Sequence, residues 1–270
     1  MSPLPRLAIL GAGRMGQGLA LALRGHDVAL VRGRDGNREA VSEAGGVLLA
    51  VPDDAITPLA AELAGGRSIG SGHVVLHLSG LLDRRALAPL ADSGAALGSF
   101  HPLQTIADPA TAPERLAGAY ATVEGDEGAL DLGRRLAEAM GMVAVPIAAE
   151  GKAAYHAGAA IAANYTTALM AVAERLAAQA GIPADLAARI YLPLLRGAAA
   201  NLEAGPAAAL TGPVRRGDVR TIRAHLGILT GADAQLYRLL AGEALRLARE
   251  AGLPPEAAER VADALREEGV

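Results

Sequence analysis

Leu7-Ala8-Ile9-Leu10-Gly11-Ala12-Gly13-Arg14-Met15-Gly16 is the stretch from which the rest of the chain can be read. Four apolar residues of strand length run directly into G-x-G-x-x-G, and Gln17 to Arg24 beyond has helical character. In a strand, turn and helix of this kind each glycine has its own task. Gly11 allows the tight turn, Gly13 lets backbone come up to a pyrophosphate, and Gly16 lets helix pack on strand. Arg14 and Met15 complete the turn, where the helix N-terminus favours an anion. With 33 glycines in the chain the motif alone is weak evidence; its position between strand and helix gives it weight.

Reading outward, the second apolar run, Val28 to Val31, ends in Arg32-Gly33-Arg34. An NAD site would place Asp or Glu there for the ribose hydroxyls, whereas the guanidinium groups of Arg32 and Arg34 suit a 2′-phosphate, so NADP(H) is the expected cofactor. The third run, Val47 to Val51, passes into Pro52-Asp53-Asp54. Val51 and Pro52 should line the cofactor crevice, and Asp53 and Asp54 should cap the next helix. Four more runs follow, Val74 to Leu78, Ala95 to Phe100, Tyr120 to Val123 and Met142 to Val145. Between them lie helix-like stretches at Asp54 to Ala64, Asp83 to Ala91 and Glu127 to Met140. The alternation predicts an α/β domain, residues 1–149, with a mostly parallel sheet covered on both faces.

After Pro146 the strand signals stop. Residues 150–270 read as an all-α domain: a helix over Glu150 to Ala180, then Asp185 to Glu203, Asp218 to Leu229, Ala232 to Ala251 and Pro255 to Glu268. The first half of the long helix is apolar nearly all round and needs cover on every side, which a second copy would supply; a homodimer through the C-terminal helices is expected. Ala153 to Ala173 carries His156, Asn164, Tyr165, Thr166 and Thr167, which are costly in lipid, so a buried helix is expected there and no membrane span.

Composition bounds the function. Of 270 residues 51% are hydrophobic, which excludes a disordered chain, and a net charge of −4 without basic runs argues against nucleic acid or an anionic membrane as partner. The absence of cysteine excludes disulfides, thiol catalysis and cysteine-ligated metal, and no metal site is expected. No charged-then-apolar leader opens the sequence, so the expected location is cytoplasmic.

Lys152 is the only lysine among 25 basic residues. Arginine cannot release its proton at accessible pH and lysine can, so the exception has a chemical motive at the opening of the second domain. There it could protonate a carbonyl oxygen as hydride reaches the carbon. His156, one helical turn on, shares its face, either orienting substrate or sharing the proton. Asn164, about 12 Å further along a helix, is a candidate for a distal substrate group. Ser79 and His101 follow the fourth and fifth runs at strand carboxyl ends, where nicotinamide and substrate contacts are made. Arg216, or Arg215 beside it, is a candidate carboxylate clamp in the turn Leu210 to Asp218, where Asp218 should cap the next helix.

With Gly11 to Gly16, Leu49 to Asp53, Leu78-Ser79-Gly80, Phe100 to Gln104, Lys152 to Asn164 and Thr211 to Asp218 in view, the chain resembles Rossmann-like proteins whose helical C-terminal domain was once of unknown function. These are similar in plan to ketopantoate reductases, pyrroline-5-carboxylate reductases, prephenate dehydrogenases and β-hydroxyacid dehydrogenases. In the ketopantoate and β-hydroxyacid enzymes the corresponding helix carries a lysine followed four residues later by asparagine. Lys152 matches the lysine, and His156 stands at the asparagine position. The resemblance implies NADPH, a dimer and a small carboxylate-bearing substrate. It leads to a reductase of a 2-oxo acid such as ketopantoate. An imine reductase of the pyrroline-carboxylate kind and a non-catalytic NADPH-binding sensor are the alternatives.

Overall fold

The computed structural model describes residues 3–33 and 37–267. The chain forms two compact units, Met1–Tyr165 and Thr166–Val270. The first is built on seven strands: β1 (Leu7–Leu10), β2 (Val28–Val31), β3 (Gly46–Leu49), β4 (Val74–His77), β5 (Ala96–Pro102), β6 (Tyr120–Gly125) and β7 (Val143–Pro146). They make one sheet in the order β2-β1-β3-β4-β5-β6-β7, parallel throughout except where β6 runs against β5. Its helices are α1 (Arg14–Ala22), α2 (Asn37–Ser42), α3 (Asp53–Gly65), α4 (Ala112–Leu116) and α5 (Glu127–Ala139). The helix expected over Asp83 to Ala91 is instead a 3₁₀ run, Arg84–Ser93. Pro89 within it lacks the amide an α-helix would need.

Alternation of side chains along the strands fills both faces of the sheet. Leu7 and Ile9 join Leu48, Leu76, Phe100 and Val123 on one side, under Leu19 of α1 and Leu136 of α5. Ala8 and Leu10 join Val47, Leu49, Val75 and Leu97 on the other, under Ile56 of α3 and Leu87. Phe100, the one phenylalanine, is fully buried in the first of these cores.

The same alternation breaks the second face with a polar row. His77 on β4 pairs in register with Ser99 on β5, Ser99 with Glu124 on β6, and His101 with Thr122. Strand parity puts all five on the side of Val75 and Leu97. Polar groups so deep in a sheet are costly unless each finds a partner, so a row of them marks a place where apolar packing was given up.

The stretch read as one helix from Glu150 to Ala180 resolves into a 3₁₀ turn (Ala149–Gly151), α6 (Lys152–Ala160), a π-helical turn (Ile161–Tyr165) and α7 (Thr166–Gln179). The compact units divide after Tyr165 and not at residue 149. The reason is local: Lys152, at the start of α6, is buried among the residues of the sheet.

The second unit contains α7, α8 (Ala184–Asn201), α9 (Pro206–Ala209), α10 (Gly212–Arg216), α11 (Val219–Leu226), α12 (Gly231–Glu250) and α13 (Pro255–Arg266), with no strand among the described residues. Its core gathers Val214, Ile222, Leu226, Leu245, Leu253, Val261 and Leu265. Asp218 caps α11 as expected, accepting from Thr221 N at 3.1 Å. On α8, Leu186, Ile190, Leu192 and Leu194 remain exposed. No helix among the described residues is long and apolar enough to cross a membrane.

Candidate active site

The turn from β1 into α1 has the geometry that its glycines predict. Gly11 has φ +113°, and a Cβ there would stand 2.3 Å from the Ala50 carbonyl oxygen. A Cβ on Gly16 would stand 2.0 Å from the Gly11 oxygen, so helix and turn touch through bare backbone. Above Gly13 there is nothing within 4 Å. That opening lies at the N-terminus of α1, which has no side-chain cap and no acidic residue in its first turn. Gln17 fixes the turn by donating to the Ala12 carbonyl at 2.6 Å. Arg14 is exposed beside the opening, whereas Met15 packs on the core. The cradle thus fits a pyrophosphate on both counts that can be tested, open space and unopposed N–H groups.

Next to it Leu10, Gly11, Gly33, Val51, Ala55, Pro58, Leu59 and Glu62 enclose a slot of about 270 Å³. Its apolar walls suit the flat face of a purine. Arg32 is exposed at the end of β2, and Arg34 lies outside the described residues. Pro52 is the N-cap of α3, so Asp53 and Asp54 fall in its first turn instead of capping it. Asp53 accepts from Ser79 Oγ at 2.8 Å.

Ser79 has little to offer a ligand. Its hydroxyl accepts from Leu81 N (3.1 Å) and Leu82 N (2.9 Å) while donating to Asp53, which folds the loop after β4 onto α3. Ser79 N donates to His77 Nδ1, so the proton of the neutral ring sits on Nε2 and is given to the Asp83 carbonyl at 3.0 Å. Burial holds His77 down to a pKa of about 4.

Among the described residues the buried polar side chains are His77, Ser79, Ser99, Thr122, Glu124 and Lys152. All of them belong to the polar row or the loop and helix above it. Lys152, only 1% exposed, donates to Ser99 Oγ at 2.7 Å and to the Ser79 carbonyl at 3.3 Å. Ser99 Oγ donates in turn to Glu124 Oε2 (3.2 Å), which also accepts from Arg84 N (3.0 Å). Burial lowers the Lys152 ammonium below its ordinary value, opposed by Glu124, Asp83 and Asp53. Burial raises Glu124, opposed chiefly by Lys152. Ser99 and Glu124 were not among the candidates drawn from sequence; only the register of the antiparallel pair brings them to Lys152.

Beyond this buried network a cavity of about 540 Å³ opens, lined by His101, Gln104, Tyr155, His156 and Asn164 together with alanines of α6 and the π turn. His101 Nδ1 lies 2.8 Å from the Tyr155 hydroxyl, and its ring meets His156 edge to face at 6.1 Å. Burial, then the Lys152 charge, brings His101 down to about 4. Both imidazoles rest on Gly80, where a Cβ would stand 2.7 Å from His156 Cδ2 and 2.9 Å from His101 Nε2. His156 and Lys152 thus both turn toward the Ser79-Gly80 loop, but the ammonium lies beneath the cavity and not on its wall. Asn164 reaches the same cavity because the π turn presents it there. Arg216 is exposed in the second unit, and its neighbour Arg215 donates to the Ala251 carbonyl at 2.9 Å. No group of three or more His, Asp or Glu among the described residues is placed to hold a metal.

Comparison with known proteins agrees with this architecture. Residues 33–102 match the model of a Rossmann-like domain, and residues 119–244 match that of a domain of unknown function, DUF2520. No curated protein sequence matches the chain. Protein TM1727 of Thermotoga maritima is 27% identical, with a TM-score of 0.68 over 90% of this chain and 98% of that one. A candidate NADP oxidoreductase of Bacteroides fragilis is 20% identical, TM-score 0.67, over 89% and 98%. Pyrroline-5-carboxylate reductase of Coxiella burnetii is 16% identical, TM-score 0.58, over 98% and 99%. These likenesses establish the fold.

Proposed function

We propose that the protein is an NADP(H)-dependent reductase of a small carboxylate-bearing substrate, a 2-oxo acid such as ketopantoate. The observation that carries the reading is the pairing of an open glycine cradle at Gly13 with a cavity walled by His101, Tyr155 and His156 over the buried Lys152. NADPH, when bound, supplies the hydride. Backbone at Gly11, Gly13 and Gly16 and the first turn of α1 take its pyrophosphate, Val51 and Pro52 flank the purine slot, and Arg32 meets the 2′-phosphate. Lys152, when protonated, sets a positive charge beside the cavity, where negative charge grows on the substrate oxygen as the carbon is reduced. His156 and Asn164 orient the substrate, and His101 stands by as a neutral ring. A homodimer through the C-terminal helices is part of this reading, supported by the apolar side chains left exposed on α8.

Reduction of a cyclic imine is the second reading, favoured by the fold shared with pyrroline-5-carboxylate reductase. A protonated imine needs no acid from the protein, so the two readings separate by substrate. NADPH absorbance is followed with 2-dehydropantoate and with 1-pyrroline-5-carboxylate. Consumption with the first and not the second is the expected result, and the reverse supports the imine reading. NADPH binding with no turnover of either overturns both in favour of a nucleotide sensor.

A further inference from the structure

We infer that Tyr155 is the residue that delivers the proton to the substrate oxygen, an assignment that rests on the reductase reading and completes it. Tyr155 combines three properties that Lys152 does not. Its hydroxyl belongs to a side chain on the cavity wall, whereas Lys152 is 1% exposed and already gives protons to Ser99 and Ser79. It has an imidazole at 2.8 Å to hold its oxygen once the proton has left. And it has a second hydroxyl close by in reserve. Thr122 Oγ1 is buried and has no hydrogen-bond partner; burial raises the Tyr155 phenol above its ordinary value, and the nearby Thr122 hydroxyl opposes that rise. An unpaired buried hydroxyl is a standing cost, which an arriving phenolate would relieve.

The groups around His101 fix its part. Lys152 and His156 on α6 disfavour its protonation, Asp53 on α3 favours it, and burial outweighs them all, so the ring stays neutral near pH 7. A neutral ring carries one proton. With that proton on Nδ1 it donates to the Tyr155 oxygen and frees the phenolic hydrogen for the substrate.

The step then balances. Hydride brings two electrons to the carbonyl carbon, the C=O π pair moves to oxygen, and that oxygen takes the phenolic proton. The products are the hydroxy acid, NADP⁺ and a phenolate held by His101 Nδ1–H and Thr122 Oγ–H, to which water returns the proton.

The test compares wild type, Tyr155→Phe and His101→Ala with 2-dehydropantoate and 1-pyrroline-5-carboxylate as probes, alongside NADPH affinity and thermal melting. Phenylalanine keeps the ring and removes only the hydroxyl. With the oxo acid its kcat should fall roughly 100-fold, within the range for loss of a general acid. NADPH Kd and melting temperature should stay unchanged, and His101→Ala should lose less. A Tyr155→Phe enzyme that reduces the oxo acid at the wild-type kcat overturns this assignment and leaves the reductase reading standing. A wild-type enzyme that binds NADPH and reduces neither probe overturns both.

Discussion

At the scale of the residue, the site is defined by side chains whose charge the fold has suppressed. His77 and His101 are both lowered from 6.5 to about 4, in each case first by burial. A histidine depressed in the folded state is neutral there while its unfolded counterpart takes a proton below about pH 6.5, so between those values the unfolded chain binds more protons. Stability should therefore be intact above pH 6.5 and fall as pH drops toward 4, by at most about 1.4 kcal/mol per pH unit for each group. Urea denaturation at pH 7 and pH 5 measures the slope, and His77→Gln should flatten it; an unchanged slope would count against the buried neutral ring. Lys152 was legible in the sequence as an isolated residue type, because the chain uses arginine everywhere else. Tyr155 was not, since a tyrosine on a helix says nothing until a histidine 54 residues away is folded against it.

At the scale of the element, the first β-α turn separates two kinds of glycine. Gly13 faces open space and Gly16 faces backbone at 2.0 Å from where a Cβ would be. Gly13→Ala should melt like wild type while weakening NADPH binding at least ten-fold, the cost of one misplaced contact of about 1.4 kcal/mol. Gly16→Ala should lower the melting temperature, because overpacking of this kind costs roughly 1–3 kcal/mol. Equal melting of the two variants would refute the distinction. This turn was readable from sequence since it is local: strand, turn and helix follow one another within sixteen residues. The row His77, Ser99 and Glu124 was not, because it depends on the register of three strands, one of them reversed. The π turn escaped for a related reason: one wider turn leaves the apolar character of Glu150 to Ala180 unchanged, so the stretch still reads as a plain helix.

At the scale of the whole molecule, α8 exposes Leu194 to 69% and Leu186, Ile190 and Leu192 to over two-fifths each. Leu186, Ile190 and Leu194 are spaced four residues apart along one face of α8, and an exposed apolar stripe of this kind ordinarily marks an interface. Light scattering should give a dimer mass for the wild type and a monomer mass for Leu194→Arg with Ile190→Arg; a wild-type monomer at micromolar concentration would rule out the homodimer. In the sequence the strand signals stop at Pro146; in the structure the compact units divide after Tyr165, and Lys152 ties α6 to the sheet.

That tie also gives the molecule an internal reporter. The chain has a single ε-amine, and it is sealed under α6. Apart from the α-amino group, an acylating reagent finds no amine on the folded protein. Each adduct on Lys152 then records one excursion in which the N-terminal turn of α6 lifts from the sheet. The rate at which that adduct accumulates, read by mass, measures the opening of the active site without substrate, cofactor or engineered label.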